Sequence, residues 1–259
     1  MIHIPFNDKD YYLPENFNEL SKKQLLWLAR LMNEKDKEYH ELEVLQMLLD
    51  LKLYQFFRMS NDAKERMLPF ISWVFGENTL TAQLLPEYEG LHAPKGEFDN
   101  LTLGEFHYTE TYYHQFTKGN IDALDLLIAV LYRRPKKDYD TQLDSDGDIR
   151  VMFNKNEIEY YAKLVKRWPP SVKTAIVIWY DGCKQQLVKL YKEVFEESGT
   201  DHKTEDTGMY SIIRNMSGDK FGNIDQVEKV LVHHAFYEIT LIMEDNRRIE
   251  AEMKKHQPK

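Results

Sequence analysis

His107, Glu110 and His114 are the residues of this chain whose types and spacing come closest to chemistry. At i, i+3 and i+7 they share one face of a helix, and imidazole and carboxylate are ligand types for zinc or iron. They form neither His-Glu-x-x-His nor the Glu-x-x-His pairs of helical di-iron sites, and a catalytic centre would need further ligands from elsewhere. The same stretch carries Phe106, Tyr108, Tyr112, Tyr113 and Phe116. A packed aromatic helix is therefore the first expectation, and a metal-dependent helical enzyme using His107, Glu110 and His114, or a cytoplasmic helical adaptor, is the alternative.

Other candidate groups read as structural. His233 and His234 are adjacent, about 100° apart on a helix, so they cannot clamp one ion together; one packed and one exposed imidazole is expected. Asp144, Asp146 and Gly147 resemble part of an EF-hand loop, but aligning Gly147 with the invariant glycine puts Gln142 at the first ligand position and Phe153 where a bidentate Glu is required. An acidic turn is expected instead. Cys183 lies on an apolar stripe and reads as a core thiol. The chain has no Gly-rich phosphate loop, no Gly-x-Ser-x-Gly and no Cys-x-x-Cys, so no cofactor is expected.

Bulk properties narrow the classes further. Of 259 residues, 42% are hydrophobic and 13% aromatic, enough for a substantial core, and the net charge of −9 argues against nucleic acid as a partner. One basic cluster, Arg133-Arg134-Pro135-Lys136-Lys137, reads as cations at a helix C-terminus with Pro135 stopping the helix. A single cysteine allows no intrachain disulfide, and a cytoplasmic setting is expected. MIHIPFNDKD has neither the basic nor the apolar region of a signal peptide. No apolar run is long enough to span a membrane.

The elements that would position these residues are helices. Residues 17–25, FNELSKKQL, and 98–106, FDNLTLGEF, share the pattern Phe-x-x-Leu-Ser/Thr-x-x-Gln/Glu-apolar. Ser21 with Gln24, and Thr102 with Glu105, have capping-box spacing. Each opens a helix and is followed by a second apolar stretch, Leu42 to Phe57 and Ile121 to Tyr132, giving one helix-pair module used twice. Helices are expected over 21–33, 40–58, 61–75 (capped by Asn61), 102–117 and 120–132 (capped by Asn120). An irregular connection with a short hairpin is expected over 76–101. Asn154 with Glu157 should open a helix running to Trp168.

Val172, Ile176, Trp179, Cys183, Leu187, Leu190 and Val194 form a stripe predicting one helix over 170–197. Residues 198–207 read as a loop and 208–217 as a short helix, and Asn223 should cap a final helix reaching about Lys255. The expected fold is all-α: an irregular multi-helix bundle with a repeated helix-pair module and a long C-terminal helix. Its N-terminal lobe would span 1–137 and its C-terminal lobe 150–259, or the two would make one continuous domain.

The phrases LPENFNELSKKQLLWLARLM, LTLGEFHYTETYYHQF with ALDLLIAVLYRRP, and MYSIIRNMSGDKFGNIDQVEKVLVHHAFYEI with a charged helical tail resemble proteins encoded among phage and prophage tail genes. The Leu-Leu-Ala-Val-Leu-Tyr-Arg-Pro type phrase of such proteins stands here as Leu126 to Arg133, with Arg134 intervening before Pro135. The charged C-terminal helix is similar to that of tail-assembly chaperones. The resemblance implies a non-enzymatic protein that binds a helical partner such as a tape-measure chain, or a virion structural component, with self-association as a further option. Val230, Leu231, Phe236, Tyr237, Glu244, Arg247 and Arg248 on the final helix are the expected partner-binding residues.

Overall fold

The computed structural model describes residues 1–6, 9–34, 41–139, 147–197, 213–214, 216–218 and 221–256. The fold is mostly α-helical, with two small antiparallel sheets among the described residues. An N-terminal hairpin, β1 (Ile2–Phe6) and β2 (Lys9–Leu13), precedes α1 (Lys22–Met32), α2 (Glu41–Leu48), α3 (Leu53–Arg58) and α4 (Asn61–Met67). A two-residue hairpin, β3 (Glu87–Tyr88) and β4 (Leu91–His92), turns through Glu89 and Gly90 at positive φ. Then follow α5 (Leu103–Thr117), α6 (Asp122–Leu131), α7 (Ile158–Val165), α8 (Pro170–Leu190), α9 (Lys192–Glu197), α10 (Ile224–Val227) and α11 (Val232–His256).

Both copies of the motif close the same kind of cap, although the turns before it differ, Phe17 opening the turn Phe17–Glu19 and Phe98, at φ 64°, ending the turn Gly96–Phe98. Phe17 and Phe98 sit buried in a 3-10 turn, Leu20 and Leu101 are buried behind them, and Ser21–Gln24 and Thr102–Glu105 each close a reciprocal capping box. These boxes satisfy backbone N–H groups that a helix start leaves orphaned. One hydrophobic cluster runs from Leu13 to Met243, with α1 packed on α8 and α6 on α7, so the 1–137 and 150–259 stretches share a core.

Four expected helices are interrupted. The 40–58 helix breaks at Asp50 (φ 50°), where Leu51 N–H bonds the Gln46 carbonyl and Asp50 N–H the Met47 carbonyl. That is a Schellman ending with Asp in the position usually held by Gly, which is why composition hid it. The 61–75 helix is capped by Ser60 rather than Asn61, and changes to 3-10 geometry over Leu68–Phe75, where Pro69 cannot donate to the α-helical ladder. The 170–197 helix stops at Tyr191 (φ −118°), whose ring docks against Phe236 and whose hydroxyl meets the His233 ring nitrogen and carbonyl.

The final helix does not begin at Asn223. That residue caps only the turn of α10, after which Glu228 and Val230 turn their carbonyls to the Gly104 and Leu103 N–H groups at the start of α5. Val232 N–H donates to the Leu101 carbonyl, and α11 starts there. The first turn of α5 is thus closed by tertiary contacts as well as by its own capping box. Gly104 permits the approach, since a Cβ there would stand 3.0 Å from Glu228.

Ile121, not Asn120, takes the cap position of α6, without a side-chain bond. Asn154 caps a 3-10 turn, Lys155–Glu157, before α7, which ends at Val165, short of Trp168. Residues 198–207 and most of 208–217 lie outside the described residues, as do Asp144 and Asp146.

Candidate functional site

The strongest electrostatic feature lies at the heart of the α5–α6 pair. Glu105, in the first turn of α5, is buried, and its Oε1 accepts from the Arg133 Nη1 and lies 3.1 Å from the Arg150 Nη1. Its Oε2 takes the Thr102 N–H at 2.8 Å. Asp148 chelates the other edge of Arg150, at 2.7 Å to Nη2. Burial alone would raise the Glu105 carboxyl, but the adjacent Arg133 and Arg150 outweigh it and hold it below the usual carboxylate range.

Both guanidinium groups also close the end of α6, with Arg133 donating to the Val130 carbonyl at 2.7 Å and Arg150 to the Leu131 carbonyl at 2.9 Å. The expected helix-terminal role of Arg133 therefore holds, but as a buried residue in an ion pair rather than a surface cation. Two acids against two arginines leave this quartet neutral. It is a structural joint between α5, α6 and the 148–150 segment. Sequence reading missed it because Arg150 lies far along the chain from Glu105, in a polar stretch with no periodicity.

The proposed metal-binding face is used otherwise. Glu110 accepts from the Tyr180 hydroxyl at 2.7 Å and pairs with Lys184 at 2.7 Å. Among the described residues, no three His, Cys, Asp or Glu side chains converge to hold a metal ion. Cys183 is buried, its thiol pushed up to about 12 by that burial, as a core thiol should be. His233 is half-buried, with Nε2 2.7 Å from the Glu97 carbonyl, and His234 is exposed.

Beside Glu110 a second polar group opens to a cavity. Asp181 on α8 accepts from the Tyr113 hydroxyl (2.8 Å), from Gln185 Nε2 (2.7 Å) and from Asn78 Nδ2 (3.3 Å). The cavity, about 450 Å³, lies between α1, α2, α8 and the 3-10 segment, with Asp181, Tyr113 and Asn78 at its polar end.

The expected partner-binding residues divide between α11 and the turn before it. Phe236 is fully buried among Phe106, Tyr191 and Phe195, so it belongs to the core and cannot be offered to a partner. Val230 and Leu231 are half-buried in the docking with α5. Tyr237 and Glu244 are exposed. Arg247 pairs with Glu193 of α9 at 2.9 Å, and Arg248 with Asp245 at 3.0 Å.

Beyond those residues runs a pattern the expectation overlooked. Val232, Ala235, Ile239, Ile242, Asn246, Ile249 and Met253 repeat at alternating spacings of three and four, the seam of a coiled coil. Val232 and Ala235 are buried and Ile239 packs on the core, whereas Ile242, Ile249 and Met253 are 39%, 50% and 57% exposed. Comparison with protein-family models, curated proteins and solved structures returned no match. No described helix is long and apolar enough to cross a membrane.

Proposed function

We propose that this chain is a non-enzymatic helical interaction protein that receives a partner helix along the outer half of α11. The observation that carries the reading is the continuation of one seam. Its inner half is covered by the chain's own core, while Ile242, Ile249 and Met253 of its outer half keep the seam's spacing and stand exposed among the described residues.

Flanking charge indicates the kind of partner. In the heptad set by this seam, Asp245, Glu250 and Glu252 occupy flanking e and g positions of the outer half. Two copies paired through this face would set carboxylate against carboxylate, whereas a partner helix with Lys or Arg flanks would meet complementary charge. Asn246 within the seam would fix the register of such a pair at some cost in affinity. The setting implied by the resemblance is phage tail assembly or the virion, with a tape-measure chain as the partner helix. The acidic net charge suits a factor that stays off nucleic acid.

The test uses two synthetic heptad peptides with Leu at the inner positions, one flanked by Lys and one by Glu, titrated against the full chain by fluorescence anisotropy. The Lys-flanked peptide should bind and the Glu-flanked one should not. Hydrogen exchange over residues 244–256 should be fast in the free chain, because an extended helix without tertiary cover is marginal in water, and slow in the complex. Replacing Ile249 and Met253 together by Asp should abolish binding without lowering the melting temperature. Equal binding of the two peptides, or unchanged binding by the double variant, would sink the assignment. A dimer held through this helix in sedimentation would replace the heterologous partner with a second copy.

A further inference from the structure

The cavity of about 450 Å³ falls within the ~300–1,000 Å³ range of small-ligand sites. Its walls are apolar, built by Leu28, Met32, Val44, Phe75, Val177 and Ile178, and it opens where Met32 and Phe75 are 54% and 49% exposed. The polar side chains of its lining are Asp181, Tyr113 and Asn78, which are brought together by the bonds of Tyr113 and Asn78 to Asp181.

The partners of Asp181 are all neutral donors: the tyrosine hydroxyl and two amides. Among the described residues no cation reaches ion-pairing distance of it. Lys184, three residues further on than its helix mate Asp181, is held 2.7 Å from Glu110 and over the Tyr113 ring. Asp181 is thus a half-buried carboxylate beside an apolar cleft with no ion-pair partner among the described residues. In an environment less polar than water such a group favours a cation strongly over a neutral or anionic head.

We infer that this cavity binds a small amphiphile with an apolar body and a protonated amine. The body lies between α1, α2 and α8, and the ammonium donates to Asp181. This site is on the body of the fold and is independent of the partner helix assigned to α11.

Three probes of one chain length separate the contributions: n-octylammonium, n-octanol and n-octanoate, titrated calorimetrically into the full-length protein. Octylammonium should bind, octanol about 10-fold more weakly or worse, and octanoate not measurably, since a hydrogen bond to a charged group supplies that factor. Asp181→Asn should bring octylammonium down to the octanol level and leave octanol unchanged. Should that variant fail to fold, the ranking of the three probes on the wild type still decides. Val177→Phe, which fills the cavity, should weaken all binding; retained octylammonium binding in a folded Val177→Phe chain would place the ligand elsewhere and overturn the proposal. It is overturned equally if octanol binds as well as octylammonium, because the cleft is then merely apolar, or if no probe binds.

Discussion

Glu105 and Asp181 are two carboxylates on helices of one core, and the chain treats them in opposite ways. Glu105 is closed in by two arginines and a backbone N–H, with Asp148 balancing the second arginine. Asp181 is given three neutral donors and an apolar cavity at its side. Both groups are well hydrogen-bonded, so bonding alone does not distinguish structure from site. Charge balance does. Where the chain supplies its own counter-charge, the group holds the fold together; where it leaves the charge open beside an apolar space, a ligand can complete it.

The comparison breaks most visibly at the closed end. Arg150→Met removes one of the two cations facing Glu105 and strands Asp148, and it should cost about 3–5 kcal/mol in chemical denaturation, the penalty for leaving a buried charge uncompensated. A loss below about 1 kcal/mol would show that water enters the quartet and that it is no more closed than Asp181.

The titration of Glu105 sharpens the same point. Its folded-state pKa lies below the unfolded value, so the stability it contributes is fully present above the ordinary carboxylate range and is lost as pH falls through its own lower value. A carbon-13 NMR titration should find the Glu105 carboxylate still ionised at pH about 4, where exposed glutamates are half protonated. Protonation of Glu105 together with the exposed groups would mean that the arginines do not compensate it. Cys183 runs in the other direction. With its thiol pushed from 9.0 up to about 12, its contribution is complete below pH about 9 and declines as pH rises toward 12. The native chain should therefore resist a thiol reagent at pH 8 until it is unfolded.

The legible parts of this molecule were those set by neighbours within four residues. Ser21–Gln24 and Thr102–Glu105 could be read because a capping box is complete within one turn, and the α8 stripe because burial repeats at helical period. The breaks at Asp50 and Tyr191 could not: neither is Gly or Pro, and Tyr191 leaves helical geometry where it docks on α11, far along the chain. The same limit explains the sites. Glu110 looked like a metal ligand on its own helix, yet its partners Tyr180 and Lys184 come from α8. The role of Asp181 depends on Asn78 and on a cavity assembled from four segments. Phe236 looked like an exposed anchor because helical spacing alone does not say which apolar positions the rest of the chain will cover. Gly182 interrupts a helical stripe for a reason visible only in three dimensions, since a Cβ there would stand 2.2 Å from the Leu80 carbonyl oxygen.

The repeated motif offers a finer contrast. Ser21→Ala and Thr102→Ala each delete one cap hydroxyl and should each cost about 0.5–2 kcal/mol. The Thr102 box shares Glu105 with the buried quartet, and the α5 start is also closed by the Val230 and Glu228 carbonyls. Thr102→Ala should consequently fall at the low end of that range, because tertiary contacts keep the turn in place, and Ser21→Ala above it. Equal losses, measured by denaturant titration, would mean that the tertiary closure adds nothing to the cap.

The smallest expected effect is at Asp181 itself. Asp181→Asn keeps the size and planar shape of the side chain, and one oxygen can still accept from Tyr113 or Gln185. No counter-ion among the described residues is stranded by the change, unlike at Arg150. The free protein should then shift by no more than about 1 kcal/mol in either direction, the usual bound for a partly exposed polar exchange. A negligible effect on folding is the result that makes Asp181 a site, since a group kept for structure would be missed when it is neutralised. If Asp181→Asn instead destabilises the free chain by as much as Arg150→Met does, the charge at Asp181 is already compensated within the fold, and the distinction between the two carboxylates fails.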